Sequence, residues 1–285
     1  MANVTAALVE ELIPTEQIVN FIDGYGYPAL TALFVAAAMP SVGSIPVRMP
    51  RWNQITPTAG TKTEGSGFAE VTIDTTEETI TPGIVGMEVP ITDEAKAGAI
   101  IGVPEGLLIE GIAAMANRMD VDGHAVSTSA TNSQGAVTDV FNRAKVNAAM
   151  ASYRALSIPN GFRHALVVGN GGFRDLEADS ILESATKEMG FAAFSADSGY
   201  KGTYGGLDLF LTQNIATEGA GRSCYITPVG NGRSGLGYAI TQRIVVESNR
   251  GSEGARSARD FHVFRAWYGT GLRNRTRILE VLARP

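Results

Sequence analysis

Three short strings and three histidines are the residues of this chain whose types and spacing could do chemistry. Gly230-Asn-Gly-Arg-Ser-Gly235 has the G-x-G-x-x-G spacing of dinucleotide-binding loops, which hold a pyrophosphate when a helix follows and aims its free N–H groups at the anion. Here the run from Leu236 to Glu247 follows, β-branched and strand-like. A hairpin turn is therefore the favoured reading, with Gly230, Gly232 and Gly235 the residues a nucleotide-binding enzyme would use. Gly169-Asn-Gly-Gly172 lies between a strand and a helix but lacks the Lys-Ser/Thr of a phosphate-binding loop, which favours a tight turn. Ser184-Ala-Thr-Lys187 matches the S-x-x-K of acyl-transfer enzymes, and neither S-D-N nor K-T-G follows it, so chance accounts for it.

His124, His164 and His262 are far apart in sequence, and none has a second imidazole or thiolate at ligand spacing; no metal site is expected. Asp120 and Asp122 lack further carboxylates at calcium-loop offsets and read as solvation of a helix end. The pairs Glu10-Glu11 and Glu77-Glu78 read as solvated faces. Cys224 is the single cysteine, which rules out an internal disulfide and fits a reducing compartment. Trp52 suits an interface anchor and Trp267 a core position. These residues assemble no catalytic site.

The elements that would have to position such residues can be read from periodicity. The chain has 285 residues, 44% hydrophobic and 18% charged, which is ordinary for a globular protein. The longest oily run, Ala29 to Met39, is too short to span a bilayer, and no basic, then apolar, leader is visible. Residues 1–221 carry 12 Lys+Arg against 25 Asp+Glu, whereas residues 222–285 carry 11 Arg against 4 acids. Those arginines alternate with strand residues rather than forming a basic run, which points to a solvated face or to charge-complementary contacts between subunits.

The stretch from Ile45 to Ile80 reads as a long hairpin arm. Ile45, Val47 and Met49 share one face of its outgoing strand, with Pro46 and Pro50 on the other, and two prolines place a strand at a sheet edge. The returning half, Val71 to Ile80, alternates so weakly that neither face is oily enough to bury after Ile73. The tip between them, Thr56 to Gly67, is polar and turn-rich. At roughly 3.3 Å per residue the arm projects about 40 Å, beyond the roughly 25 Å radius of a compact chain this long. An isolated hairpin is only marginally stable, so the arm needs another surface, most economically a neighbouring copy of the same protein.

The rest of the chain reads as follows. A helical pattern covers Ala6 to Leu12. Val85, Met87, Val89 and Ile91 alternate as a half-buried strand. Thr92 caps a short helix, and Gly102-Val-Pro104 separates it from a longer one running from Glu105 to about Met119. The stripe of that helix is Leu108, Ile112, Met115 and Met119, and Asp120-Val-Asp-Gly123 ends it. A polar loop from Ser127 to Gly135 precedes a helix from Val137 to Leu156, a strand from His164 to Val168 and a helix from about Phe173 to Met189. Strands follow at Leu207 to Leu211, Cys224 to Val229 and Tyr238 to Val246. A closing hairpin joins Phe261–Tyr268 to Arg275–Leu282 through Gly269-Thr-Gly271. The class is α+β, without an internal repeat.

This order of elements resembles the major capsid proteins of tailed bacteriophages, with the Hong Kong 97-type fold. The resemblance rests on Glu64-Gly-Ser-Gly67 before a Thr-rich strand, Thr81-Pro-Gly-Ile-Val-Gly-Met-Glu-Val-Pro-Ile-Thr-Asp-Glu94 into the helix, Arg118-Met-Asp-Val-Asp-Gly123 at its end, and Gly206-Leu-Asp-Leu-Phe-Leu-Thr-Gln-Asn214. It implies an N-terminal arm at 1–44, an extended E-loop at 45–81, and a peripheral lobe with a spine helix at 82–155. An axial lobe at 156–258 and return strands to the peripheral lobe at 259–285 complete it.

By the same resemblance the protein is no enzyme and takes no cofactor. Copies would tile a shell as hexamers and pentamers, with each E-loop over the adjacent subunit and Arg48, Arg51, Trp52, Lys62, Glu64, Glu77 and Glu78 as inter-subunit contacts. Some relatives cross-link through an E-loop lysine; Lys62 is placed here as an ordinary polar contact. Further expected partners are a separate scaffolding protein, or in its place a very short assembly segment, because only about 44 residues precede the E-loop; a portal; and packaged double-stranded DNA without sequence-specific binding. No membrane is expected to take part. The location implied is the virion capsid, assembled in the host cytoplasm. An encapsulin-type nanocompartment shell is the alternative on the same fold, and a nucleotide-binding enzyme the alternative on another.

Overall fold

A computed structural model describes residues 34–36, 45–52, 75–98, 103–156, 163–178, 200–204, 206–229, 234–249 and 258–285. In chain order these hold β1 (Phe34–Ala36), β2 (Val47–Trp52), β3 (Thr75–Ile80), β4 (Gly83–Thr92), α1 (Asp93–Gly98), α2 (Val103–Ala125), β5 (Asn132–Gln134), α3 (Arg143–Ala155), β6 (Arg163–Gly169) and α4 (Asn170–Glu177). Then come β7 (Tyr200–Tyr204), β8 (Leu207–Thr212), β9 (Thr217–Glu218), β10 (Gly221–Val229), β11 (Leu236–Asn249), β12 (Arg259–Leu272) and β13 (Leu279–Ala283).

The strands form two main sheets. One has four strands in the order β1-β11-β12-β4, and the other seven, β5-β13-β10-β6-β8-β7 with β9 beside β10. The long strands of the first alternate because only one face is covered: His262, Phe264, Ala266 and Tyr268 of β12 are buried while Phe261, Val263, Arg265 and Trp267 are partly open. Its cover is α2, whose Leu108, Ile112, Met115 and Ala116 pack with Phe264, Ala266, Tyr268 and Ile244. Gly111 lets the helix approach, since a Cβ there would collide with the ring of Phe264. In the second sheet β8 is parallel to β6, and buried residues on both of its faces, Leu207, Asp208, Leu209 and Phe210, replace the alternation read from its leucines. Val146, Ala149, Met150 and Tyr153 of α3 and Leu176 of α4 join the core of that sheet.

Several boundaries differ from the sequence reading. The long helix does not stop near Met119; α2 runs through Asp120-Val-Asp-Gly123 to Ala125, because both aspartates find partners inside the protein. The expected polar loop contains a 3-10 turn, Val126–Ser129, and β5. The next helix begins at Arg143 rather than Val137, where the Asn142 side chain accepts from the Lys145 N–H at 3.0 Å. The helix expected from Phe173 to Met189 is described from Asn170 to Glu177, and the remainder lies outside the described residues, as does Ala6 to Leu12.

There is no closing hairpin. Gly269-Thr-Gly271 lies inside β12, which pairs with β11 and β4, while β13 crosses to the seven-stranded sheet between β10 and β5. Correspondingly β11, placed by sequence with the axial segment, pairs in the four-stranded sheet, and β13, placed with the return strands, pairs in the other.

The described ends of the arm pair as a separate two-stranded sheet, with Val47 opposite Ile80 and Trp52 opposite Thr75, and the rest of the arm lies outside the described residues. Its root, however, is core rather than solvated. Val47, Met49 and Ile80 are buried with Ala239 of β11, whereas Ile45 is exposed. Glycines make the seat. A Cβ at Gly237 would lie 2.6 Å from Met49 Sδ, at Gly269 2.7 Å from the Thr81 carbonyl, and at Gly271 2.7 Å from Ile80 Cγ1. Gly269→Val is therefore expected to lower stability by about 1–3 kcal/mol through overpacking. Gly83→Val, where nothing lies within 4 Å of a Cβ, should leave it nearly unchanged; urea unfolding midpoints of the two variants check this.

Candidate assembly surfaces and the joint between the sheets

The hairpin carries most of the residues expected to meet a neighbour. Arg48 and Glu77 face each other across its two strands at 3.2 Å, both well exposed, a pair of the kind worth about 0–1 kcal/mol. Glu78 instead reaches Arg275, in the turn before β13, at 3.3 Å, so it ties the arm to the body of its own chain. Arg51 and Trp52 occupy the distal end of β2 opposite Thr76 and Thr75. Lys62 and Glu64 lie outside the described residues.

A second cluster, which sequence reading missed, gathers at the last two turns of α2. Asp120 is 3% exposed, and a carboxylate so placed requires partners. Its Oδ2 accepts from Asn214 Nδ2 at 2.8 Å and Thr212 Oγ1 at 3.4 Å, and Asn214 also donates to Asn117 Oδ1 at 2.7 Å. One turn on, His124 is fully enclosed, with Nε2 3.4 Å from Asp120 Oδ1 and Nδ1 2.8 Å from the Tyr225 hydroxyl. Burial, then the Asp120 charge, raises the Tyr225 pKa well above its ordinary value, so Tyr225 keeps its proton in this hydrogen bond. Asp122, on the side facing the other sheet, accepts from Tyr268 at 2.6 Å and from Arg118 Nε at 3.1 Å, and its carbonyl accepts from Thr270 at 3.1 Å.

The network continues into the seven-stranded sheet. The Ser127 hydroxyl donates to the His124 carbonyl at 2.8 Å and lies 3.2 Å from Ser223 Oγ, which donates to Glu280 of β13. The sequence signal for this cluster was present: Ala116, Asp120 and His124 recur every four residues, continuing the buried stripe in polar form.

The described parts of the motifs singled out for chemistry serve structure. Gly235 precedes a strand, and its carbonyl accepts from the N–H groups of Arg273 and Asn274 at 2.8 and 3.0 Å. Gly230 and Gly232 lie outside the described residues. The expected hairpin turn is instead a crossover, since β10 and β11 belong to different sheets. The first turn of α4 at Gly171 is covered by the Pro285 backbone, 2.8 Å from where a Cβ would stand. His164 meets Tyr153 at 3.2 Å and His262 meets Ser248 at 2.8 Å, so the three histidines serve three separate hydrogen bonds. Ser184 and Lys187 lie outside the described residues. Among the described residues no group of three or more His, Cys, Asp or Glu is placed to hold a metal, and no helix is long and apolar enough to cross a membrane.

No family model matches the chain, and no curated protein matches it in sequence. Solved structures do. The capsid of Ralstonia phage GP4 superposes with a TM-score of 0.66 at 10% identity, over 92% of this chain and 90% of that one. The Cyanophage Pam1 capsid gives 0.65 at 13% identity, over 93% and 92%. The head of Helicobacter pylori bacteriophage KHP40 gives 0.65 at 11%, over 92% and 91%. The chain has the Hong Kong 97-type capsid fold. The polar cluster lies where α2 meets both sheets.

Glu280 makes this region pH-sensitive. It is 3% exposed; burial pushes its pKa up to about 7, the Ser223 hydrogen bond opposes that, and Glu218 adds to it. A carboxyl that holds its proton more tightly when folded favours folding most below the ordinary carboxylate pKa, about 4.3, and loses that advantage as pH rises through 7. Glu280→Gln should therefore gain stability over the natural chain progressively from pH 5 to pH 8, by up to about 3 kcal/mol. Urea denaturation of both proteins across that range, read as a difference, checks it.

Proposed function

We propose that this protein is the major capsid subunit of a tailed bacteriophage, self-assembling into an icosahedral shell of hexamers and pentamers around double-stranded DNA. The observation that carries this reading is the match to phage capsid subunits over about nine-tenths of both chains. The two-stranded arm supports it. Its root is locked to β11 and β12 of its own chain, which leaves the polar distal part to lie on another surface.

In this reading residues 1–44 form the arm that precedes the E-loop, and residues 45–81 the E-loop itself. The four-stranded sheet with the spine helix is the peripheral lobe and includes β11 and β12. The seven-stranded sheet with α3 and α4 is the axial lobe and includes β13. Arg48, Arg51, Trp52, Lys62, Glu64 and Glu77 contact the adjacent subunit, with Glu78 divided between that role and its tie to Arg275. A separate scaffolding protein, a portal and non-specifically enclosed DNA are the remaining partners, in a virion capsid assembled in the host cytoplasm. An overall net charge of -6 suits a wall that confines DNA without gripping it.

Negative-stain microscopy and sedimentation of the protein, expressed with the neighbouring genes of its source, are expected to show closed shells containing nucleic acid. A protein that stays monomeric under those conditions overturns the reading, and shells enclosing an enzyme in place of nucleic acid would mark a nanocompartment. Deleting Thr58 to Gly67, a segment without a large apolar side chain, should leave a folded subunit by circular dichroism. Shell yield or shell stability should fall sharply.

A further inference from the structure

We infer that Asp120 is a positioning residue that fixes the angle between the two sheets and, through it, the curvature of the assembled shell. The inference rests on the capsid reading and concerns the polar cluster at the end of α2. From Leu108 to Ala116 this helix packs on the four-stranded sheet through apolar side chains: Leu108, Ile112, Met115 and Ala116. Such contacts are non-directional and tolerate small sliding and rocking. Over its last two turns the helix changes its chemistry. Asp122 and its carbonyl bond Tyr268 and Thr270 of the four-stranded sheet. Asp120 and His124 bond the end of β8 and Tyr225 of β10, in the seven-stranded sheet.

A buried carboxylate is a poor way to gain stability, because desolvation offsets most of what its partners return, and a well-packed apolar group would serve as well. What hydrogen bonds supply and apolar contacts do not is a fixed distance and direction. Asp120 sits at the only place among the described residues where one short helical segment carries hydrogen bonds to both sheets. In a shell every subunit repeats the same internal angle, so a small error there is multiplied across all subunit contacts, and uniform diameter demands a stiff joint.

The test measures the joint and the shell separately. Nitroxide labels on Glu88→Cys of β4 and Thr217→Cys of β9, both exposed positions, report the distance between the sheets by pulsed electron resonance; Cys224 is buried and stays unlabelled. The natural joint is expected to give one narrow distance. Asp120→Ala should lose it, giving a broad distribution, and should produce particles of mixed diameter or open curved sheets; Asp120→Asn, which still accepts from Asn214, should restore both. A distribution in Asp120→Ala as narrow as in the natural chain overturns the inference, as does failure of Asp120→Asn to narrow it. A natural chain that forms no particles overturns the capsid reading instead, and the distance measurement still decides the joint. Should Asp120→Ala not fold, Asn214→Ala takes its place, removing the 2.8 Å donor from outside the helix with the same two outcomes.

Discussion

Burial of one helical stripe, that of α2, is the constraint on which the rest of the molecule depends. Among the described residues, α2 supplies the side chains that close the covered face of the four-stranded sheet. Without that cover β12 would present Phe264, Ala266 and Tyr268 to water, and the sheet would lose the burial that offsets the ordering of its long strands. The same helix then carries the bonds that reach the other sheet. Contacts with both sheets thus meet on a single 23-residue element.

How much of this could be read in advance varied with the kind of interaction. The alternation of Val85, Met87, Val89 and Ile91 and the stripe through Leu108, Ile112 and Met115 were visible because each depends on periodicity inside one element. The arm was visible too, since Pro46, Pro50 and the Thr-rich return mark an edge and a poor core. Its buried root was not. The seat for Met49 and Ile80 is made by Gly237, Gly269 and Gly271, and glycine pairs in a strand-like run carry the signature of a turn. That is why a closing hairpin was expected where a continuous strand exists.

The polar joint was hidden for a related reason. Asp120 and Asp122 look like the solvated end of a helix when their partners are unknown, and those partners lie far along the chain: Thr212, Asn214, Tyr225, Tyr268 and Thr270. A polar residue in a helix stripe is ambiguous until tertiary structure shows whether it faces water or a donor. The fold family was legible only through the order of elements, because no compact set of reacting groups stands out in the sequence.

The glycine seat also has a consequence for the timing of synthesis. The arm emerges from the ribosome early, yet Gly237, Ala239, Gly269 and Gly271 emerge late, and β4 itself waits for β12, where Ile91 pairs with Asp260. Until nearly the whole polypeptide has been made, Met49 and Ile80 have no place to go and the arm has no defined direction. Pairings this distant in sequence form slowly, and the seating of the arm waits for them. A chain interrupted before β12 therefore lacks a seated arm.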